Sequence, residues 1–215
     1  MNAPLRFNPL ADAQAASAQA WTTVNAMQVV AAYGGDAESA AVAGIGDLSW
    51  LRRFGCKGPG AAAWLAVHGI EVPALANQWL PLADGATAVR LGRSEFLIED
   101  GEQGGPCAAL FDAPAAAGVH PVLRQDAAFV VCGRRVGELL RQVCSVDFAS
   151  VGLAARPVVL TSMAGIGVTV LPFGAGDGHA YRVWCDGTYG AWLWKTLVEI
   201  ARELGGGPVG LDALR

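Results

Sequence analysis

The side chains able to do acid–base, nucleophilic or metal chemistry are few and scattered. His68, His120 and His179 each lie near a Gly or Pro, which places them in loops or at helix ends. A catalytic histidine needs a thiol, hydroxyl or carboxylate within hydrogen-bond reach, and no local spacing supplies one. Cys56, Cys107, Cys132, Cys144 and Cys185 form no Cys-x-x-Cys pair and do not stand beside a histidine at metal-ligand spacing. Five unpaired thiols in a mid-sized chain fit a reduced, cytoplasmic protein. The carboxylates are equally dispersed, without the close pair of a two-carboxylate acid–base site. Gly174-Ala175-Gly176-Asp177-Gly178 has the glycine density of a phosphate loop, but such a loop leaves a strand and opens a helix. Here a strand follows, so the segment reads as a turn.

Charge and composition exclude further classes. The 215 residues carry 15 basic and 19 acidic side chains, and Lys57 and Lys195 are the only lysines. Phosphate backbones and anionic membranes are bound by clustered Lys and Arg, so neither nucleic acid nor a membrane surface is an expected partner. The uncharged run Pro157 to Gly176 is long enough to raise a membrane span. Its Thr, Ser, Pro and Gly residues read instead as two buried strands joined by turns. With 53% hydrophobic residues and a mean hydropathy of +0.36, the chain can build a large core.

The elements follow from periodicity and punctuation. Pro9 to Ala20 reads as a short helix or a mobile arm, and residues 1–35 as an N-terminal extension. Asp36 is an expected N-cap for a helix to Val42. The run Leu51 to Lys57 is a strand, and Gly58-Pro59 opens a helix to about Val67. Phe129 to Cys132, Gly133 and a helix over Arg134–Val143 repeat that pattern 75 residues later. An internal duplication is expected, with halves at about 36–115 and 116–215. Thr87–Leu91 and Glu95–Glu99 flank Gly92-Arg93-Ser94 as a hairpin. Strands are expected over Val158–Ser162, Gly167–Leu171 and Ala180–Cys185, and a last helix from about Thr188 to Leu204 stops at Gly205. The class is α+β.

On that last helix Leu193, Leu197, Ile200 and Leu204 form the core stripe, with Trp194 on its flank. Trp192 points the other way, toward Glu199 and Glu203. A large ring there is either an interface residue or covered by an adjacent loop. Trp192, Glu199 and Glu203 are the candidate interface, and self-association is expected of an unpartnered chain.

Several runs together resemble a known superfamily. Glu38 to Ser49, followed by Gly58-Pro59 and Leu65, is similar to the opening of the folate-binding part of the glycine-cleavage T-protein (aminomethyltransferase) superfamily. Val89 to Ile98 resembles its Arg-Leu-Gly hairpin. Cys144-Ser145-Val146-Asp147, Tyr181 to Cys185, Tyr189 and Leu193-Trp194 resemble the γ subunit of heterotetrameric sarcosine oxidase. The resemblance covers the chain from about residue 36 and implies a duplicated two-half fold.

Departures from the family shape the functional expectation. Aminomethyltransferases carry a catalytic aspartate in a Gly-Gly segment before the hairpin, and Ala83-Asp84-Gly85-Ala86-Thr87 is too short for it. Where the family has a glutamate that grips the pterin, this chain has Ala180. A buried pterin N–H left unpaired costs about 1–3 kcal/mol. Tyr181 is the candidate replacement for holding tetrahydrofolate, should the alignment slip by one residue. Pro208 to Leu211 also matches, and the closing barrel of a full T-protein is not expected after Arg215. The resemblance thus implies a non-catalytic γ-type subunit of a sarcosine-oxidase-like complex. Its partners would be α-, β- and δ-type subunits, with FAD, FMN and NAD on those partners. The alternative is a stand-alone folate-binding or aminomethyltransferase-like protein.

Overall fold

The computed structural model describes residues 6–114, 116–173 and 180–215. The glycine turn at 174–178 and His179 lie outside the described residues.

Along the chain, α1 (Ala11–Gln14) precedes the hairpin β1 (Ala20–Val24) and β2 (Met27–Ala32), then α2 (Asp36–Ala43) and β3 (Gly44–Asp47). Next come β4 (Arg53–Lys57), α3 (Ala61–Val67), β5 (Gln78–Pro81), β6 (Thr87–Arg90), β7 (Glu95–Glu99) and α4 (Cys107–Asp112). The second round is β8 (His120–Val122), β9 (Ala127–Cys132), α5 (Val136–Val143), β10 (Val159–Met163), β11 (Ile166–Phe173), β12 (Ala180–Cys185), α6 (Gly187–Glu203) and β13 (Gly207–Val209). The expected α+β class, the paired strand–glycine–helix units and the β6–β7 hairpin are all present.

Two compact units form, one from residues 1–50, 126–151 and 160–215, the other from 51–125 and 152–159. The first holds a six-stranded sheet in the order β10-β11-β12-β9-β3-β13, and the second a five-stranded sheet in the order β5-β6-β7-β4-β8. The two orders share one plan: a three-strand meander, then the strand that leads through glycine into a helix, then a short strand. That short strand is traded. β3 precedes β4 in sequence yet pairs antiparallel with β9, while β8 precedes β9 and pairs antiparallel with β4. The compact units are therefore discontinuous in sequence, where the repeat by itself suggests contiguous halves at 36–115 and 116–215.

The glycine in each unit has a steric reason. Gly58 has φ +122°, and a Cβ there would run into the Gly118 carbonyl. Gly133 has φ +104°, and a Cβ would lie 2.6 Å from the Val42 carbonyl group. Both need a left-handed backbone and close approach, which glycine alone provides.

Each unit has its own core. In the five-stranded unit Phe54, Cys56, Trp64, Leu65, Phe96, Ile98 and Leu110 pack together. Beside them Arg53 Nε donates to Glu99 Oε2 at 2.7 Å, a fully buried ion pair between register partners on β4 and β7. In the six-stranded unit Trp194 lies between Tyr33 and Phe129, with ring centroids 6.2 Å from each.

The N-terminal stretch is built into the fold. Of the two readings for Pro9–Ala20, the helix is realised as the single turn α1, with Leu10 and Gln14 buried. The β1–β2 hairpin turns at Asn25 and Ala26, φ +49° and +60°, the double left-handed step of a type I′ turn. Asp36 does not cap α2 as expected; Gly35 holds that position at φ +71°. The Asp36 carboxylate instead accepts from the backbone N–H of Tyr33, Gly34 and Gly210, fixing the turn before the helix.

Candidate functional site

The longest helix, α6, carries the candidate surface. Asp186 caps it, its Oδ1 accepting from Thr188 N at 2.8 Å and from Thr188 Oγ1 at 2.6 Å. Those bonds favour the charged carboxylate and lower its pKa. Gly190, Leu193, Trp194, Leu197, Val198 and Ala201 form the buried stripe. Ile200, placed in that stripe from periodicity, is half-buried.

Opposite that stripe Trp192 is 51% exposed and Tyr189, one turn earlier, is 54% exposed. Residues three apart are neighbours on a helix, so the two exposed aromatic residues share one side of α6. Lys195, Glu199, Arg202 and Glu203 are exposed along the same side. Thr196 Oγ1 donates to the Trp192 carbonyl at 3.1 Å. Among the described residues, no loop buries the Trp192 ring. Trp192, Glu199 and Glu203 are the residues expected here from the sequence, and Tyr189 joins them on the same side of the helix through its i,i+3 spacing from Trp192.

Tyr181 lies elsewhere. It is a β12 residue paired with Val131 and Pro172, 5% exposed, its ring edge-on to Phe148 at 5.2 Å. Burial raises the pKa of its hydroxyl. Tyr181 is a core side chain, apart from the exposed side of α6.

The remaining chemical groups stay apart. The His68 ring lies tilted against Trp64, its Nδ1 2.8 Å from the Trp64 carbonyl oxygen, and His120 is exposed on β8. Asp84 is exposed in a surface turn at φ +57°. Burial pushes the Cys56 thiol up to about 11 and the Cys185 thiol up to about 12, the latter helped by Asp126 and Asp186. Such thiols are poor nucleophiles. Among the described residues no three His, Cys, Asp or Glu side chains converge as metal ligands. Nor is any helix long and apolar enough to cross a membrane.

One polar constellation escaped the sequence reading. Asp47, at the end of β3, is buried with Asn8, Gln14 and Ser49 around it. Its Oδ2 accepts from Asn8 Nδ2 at 3.0 Å and Gln14 Nε2 at 3.1 Å, and its Oδ1 from Ser49 N at 2.8 Å. Asn8 and Gln14 stand 39 and 33 positions from Asp47, so no local motif announces the cluster.

No protein-family model matches the sequence, and no curated protein is significantly similar to it. Solved structures do share its fold. The glycine cleavage system aminomethyltransferase T from Bartonella henselae superposes with a TM-score of 0.74 at 13% identity, over 97% of this chain. This chain spans 60% of that one. A chain of the heterotetrameric sarcosine oxidase from Corynebacterium sp. U-96 matches with a TM-score of 0.68 at 20% identity, over 95% of this chain and 98% of the other. The fold is thus that of the folate-binding part of the T-protein.

Neither of the two positions considered for a pterin, 180 and 181, carries a carboxylate. The Ala180 side chain has no acceptor to offer, and Tyr181 is a buried phenol edge-on to Phe148.

Proposed function

We propose that the chain is a non-catalytic, γ-type subunit of a sarcosine-oxidase-like heterotetramer. One observation carries this reading. The similarity to a chain of a heterotetrameric sarcosine oxidase runs end to end in both proteins, whereas only part of the aminomethyltransferase is matched. In this reading the complex demethylates a secondary or tertiary amine oxidatively and passes the one-carbon unit to tetrahydrofolate. The flavins, NAD and the folate site reside on the α- and β-type partners, with a δ-type subunit completing the assembly. This chain supplies a folded scaffold, and the Tyr189–Trp192 face of α6 is where the α-type subunit docks.

Co-expression with candidate α-, β- and δ-type subunits tests the reading. A four-subunit complex that oxidises sarcosine is expected, together with purified single chain that releases neither formaldehyde nor methylene-tetrahydrofolate above background. A chain that stays outside the complex, or that turns over an aminomethyl donor alone, overturns the proposal and favours the stand-alone aminomethyltransferase-like alternative.

A further inference from the structure

The β1–β2 ribbon has one closed edge and one open edge. Along the outer side of β2 the N-terminal stretch is already in place: Arg6 bridges Met27 in parallel, the Arg6 N–H donates to the Ala26 carbonyl, and Asn8 Nδ2 donates to the Gln28 carbonyl at 2.8 Å. The outer side of β1 has no such neighbour among the described residues, and the sheet ends there. The register says which groups face outward. Val24 pairs with Met27 across the two-residue turn, and Thr22 with Val29. Antiparallel pairs alternate between those that exchange both backbone hydrogen bonds and those that exchange none, and the pair flanking a two-residue turn is of the first kind. Thr22 and Val24 therefore direct their N–H and C=O groups to β2, whereas Trp21 and Thr23 direct theirs away from it. Both outward residues are exposed, Trp21 at 40%.

An open edge is a template for another strand, and proteins close such edges with Lys, Pro, a bulged strand or an inward charge. β1 reads Ala-Trp-Thr-Thr-Val and has none of these. The one register shift of the ribbon falls on β2, where Ala31 is the extra residue, so β1 itself runs straight. From Ala13 to Gly35 no side chain is charged. That bears on the occupant. A two-fold axis brings each side chain near its own copy, so a charge on this ribbon would oppose self-pairing, and none is there. The same lack of charge gives a charged strand of another protein nothing to select.

We propose that β1 pairs antiparallel with β1 of a second copy of this chain, across a two-fold axis at Thr22, to form a four-stranded sheet. In this register Trp21 of each copy lies opposite Thr23 of the other, and each such pair exchanges both backbone hydrogen bonds. All the outward groups of Trp21 and Thr23 are then used. An aromatic residue opposite a β-branched one is a favourable cross-strand pair. The contact is small, so the dimer forms reversibly, and it is made by a different element from α6.

Sedimentation velocity of the full chain over a wide concentration range tests this, with no other subunit present. The parent is expected to pass from monomer to dimer as concentration rises. Thr23→Pro deletes one outward N–H from each copy, leaves the β1–β2 ladder intact, and weakens the dimer roughly tenfold or more. Thr23→Lys, which closes the edge with charge, acts in the same direction, and Thr23→Val leaves the dimer in place. Should Thr23→Pro fail to fold, Thr22→Cys decides: oxidation is expected to link it as a dimer on a non-reducing gel, while Gln28→Cys and the parent stay unlinked. A parent that is monomeric at every concentration overturns the proposal. So does a dimer that survives Thr23→Lys, or one lost instead in Trp192→Ala, which places the contact on α6. A monomeric parent whose capture by another subunit is weakened by Thr23→Pro assigns the edge to a foreign strand and equally removes the self-pairing.

Discussion

At the scale of single residues, backbone strain and thiol burial have measurable consequences. Ala26 stands at φ +60°, where an L side chain costs about 1–2 kcal/mol. Ala26→Gly relieves that strain, offset by about 0.4–1 kcal/mol of added freedom in the unfolded chain. The variant is expected to gain about 0.5 kcal/mol, seen as a higher denaturation midpoint at unchanged slope. The cysteines set a pH limit. Cys56 and Cys185 titrate near 9 when unfolded but only at about 11 and about 12 when folded, because burial opposes the thiolate. Above the unfolded value the folded state holds more protons than the unfolded state, so stability is intact below about pH 9 and declines as pH rises toward 11–12. Urea midpoints between pH 7 and 11 check the sign. A midpoint that rises with alkalinity contradicts it.

At the scale of elements, the two strand–glycine–helix units and α6 matter most. Gly58→Ala and Gly133→Ala each force a Cβ into a backbone carbonyl from a left-handed φ. Each is expected to cost about 3 kcal/mol, combining backbone strain with overpacking. Thermal unfolding of the two variants provides the measurement, with Gly69→Ala as a comparison, since its Cβ would meet nothing within 4 Å and only the strain remains. On α6, Trp192→Ala removes an exposed aromatic from the helix without touching the Leu193–Leu197 stripe. Fold stability is expected to stay within about 0.5 kcal/mol of the parent. Affinity for the α-type subunit is expected to fall by about 2 kcal/mol or more, as for a central aromatic anchor. Calorimetric titration separates the two effects, and unchanged affinity would remove this face from the interface.

At the scale of the whole molecule, the traded strands bind the two halves of the sequence into one folding problem. Residues 1–115 lack β8, which pairs with β4, and residues 116–215 lack β3, which pairs with β9. Each fragment therefore exposes the unpaired edge of a central hydrophobic strand, a template for aggregation. Neither is expected to fold alone, while co-expression of both should reconstitute a one-to-one complex with the far-UV spectrum of the parent. A single fragment with a cooperative unfolding transition of its own would show that the exchange is dispensable.

Local physics was legible in the sequence. Glycine punctuation and a 75-residue offset gave away both strand–glycine–helix units, because a left-handed turn leaves a residue-type signature wherever it occurs. The polar outer side of α6 was visible for a similar reason, helical periodicity. The β1–β2 hairpin was not, since its turn uses Asn-Ala rather than the Asn-Gly that marks a type I′ turn. The burial of Tyr181 against Phe148 is not legible in the sequence, because composition does not say which side of a strand is covered. The exchange of β3 and β8, the Arg53–Glu99 pair and the Asp47 cluster were decided only by tertiary structure. Each joins residues tens of positions apart, where strand pairing and burial, not local propensity, determine which groups meet.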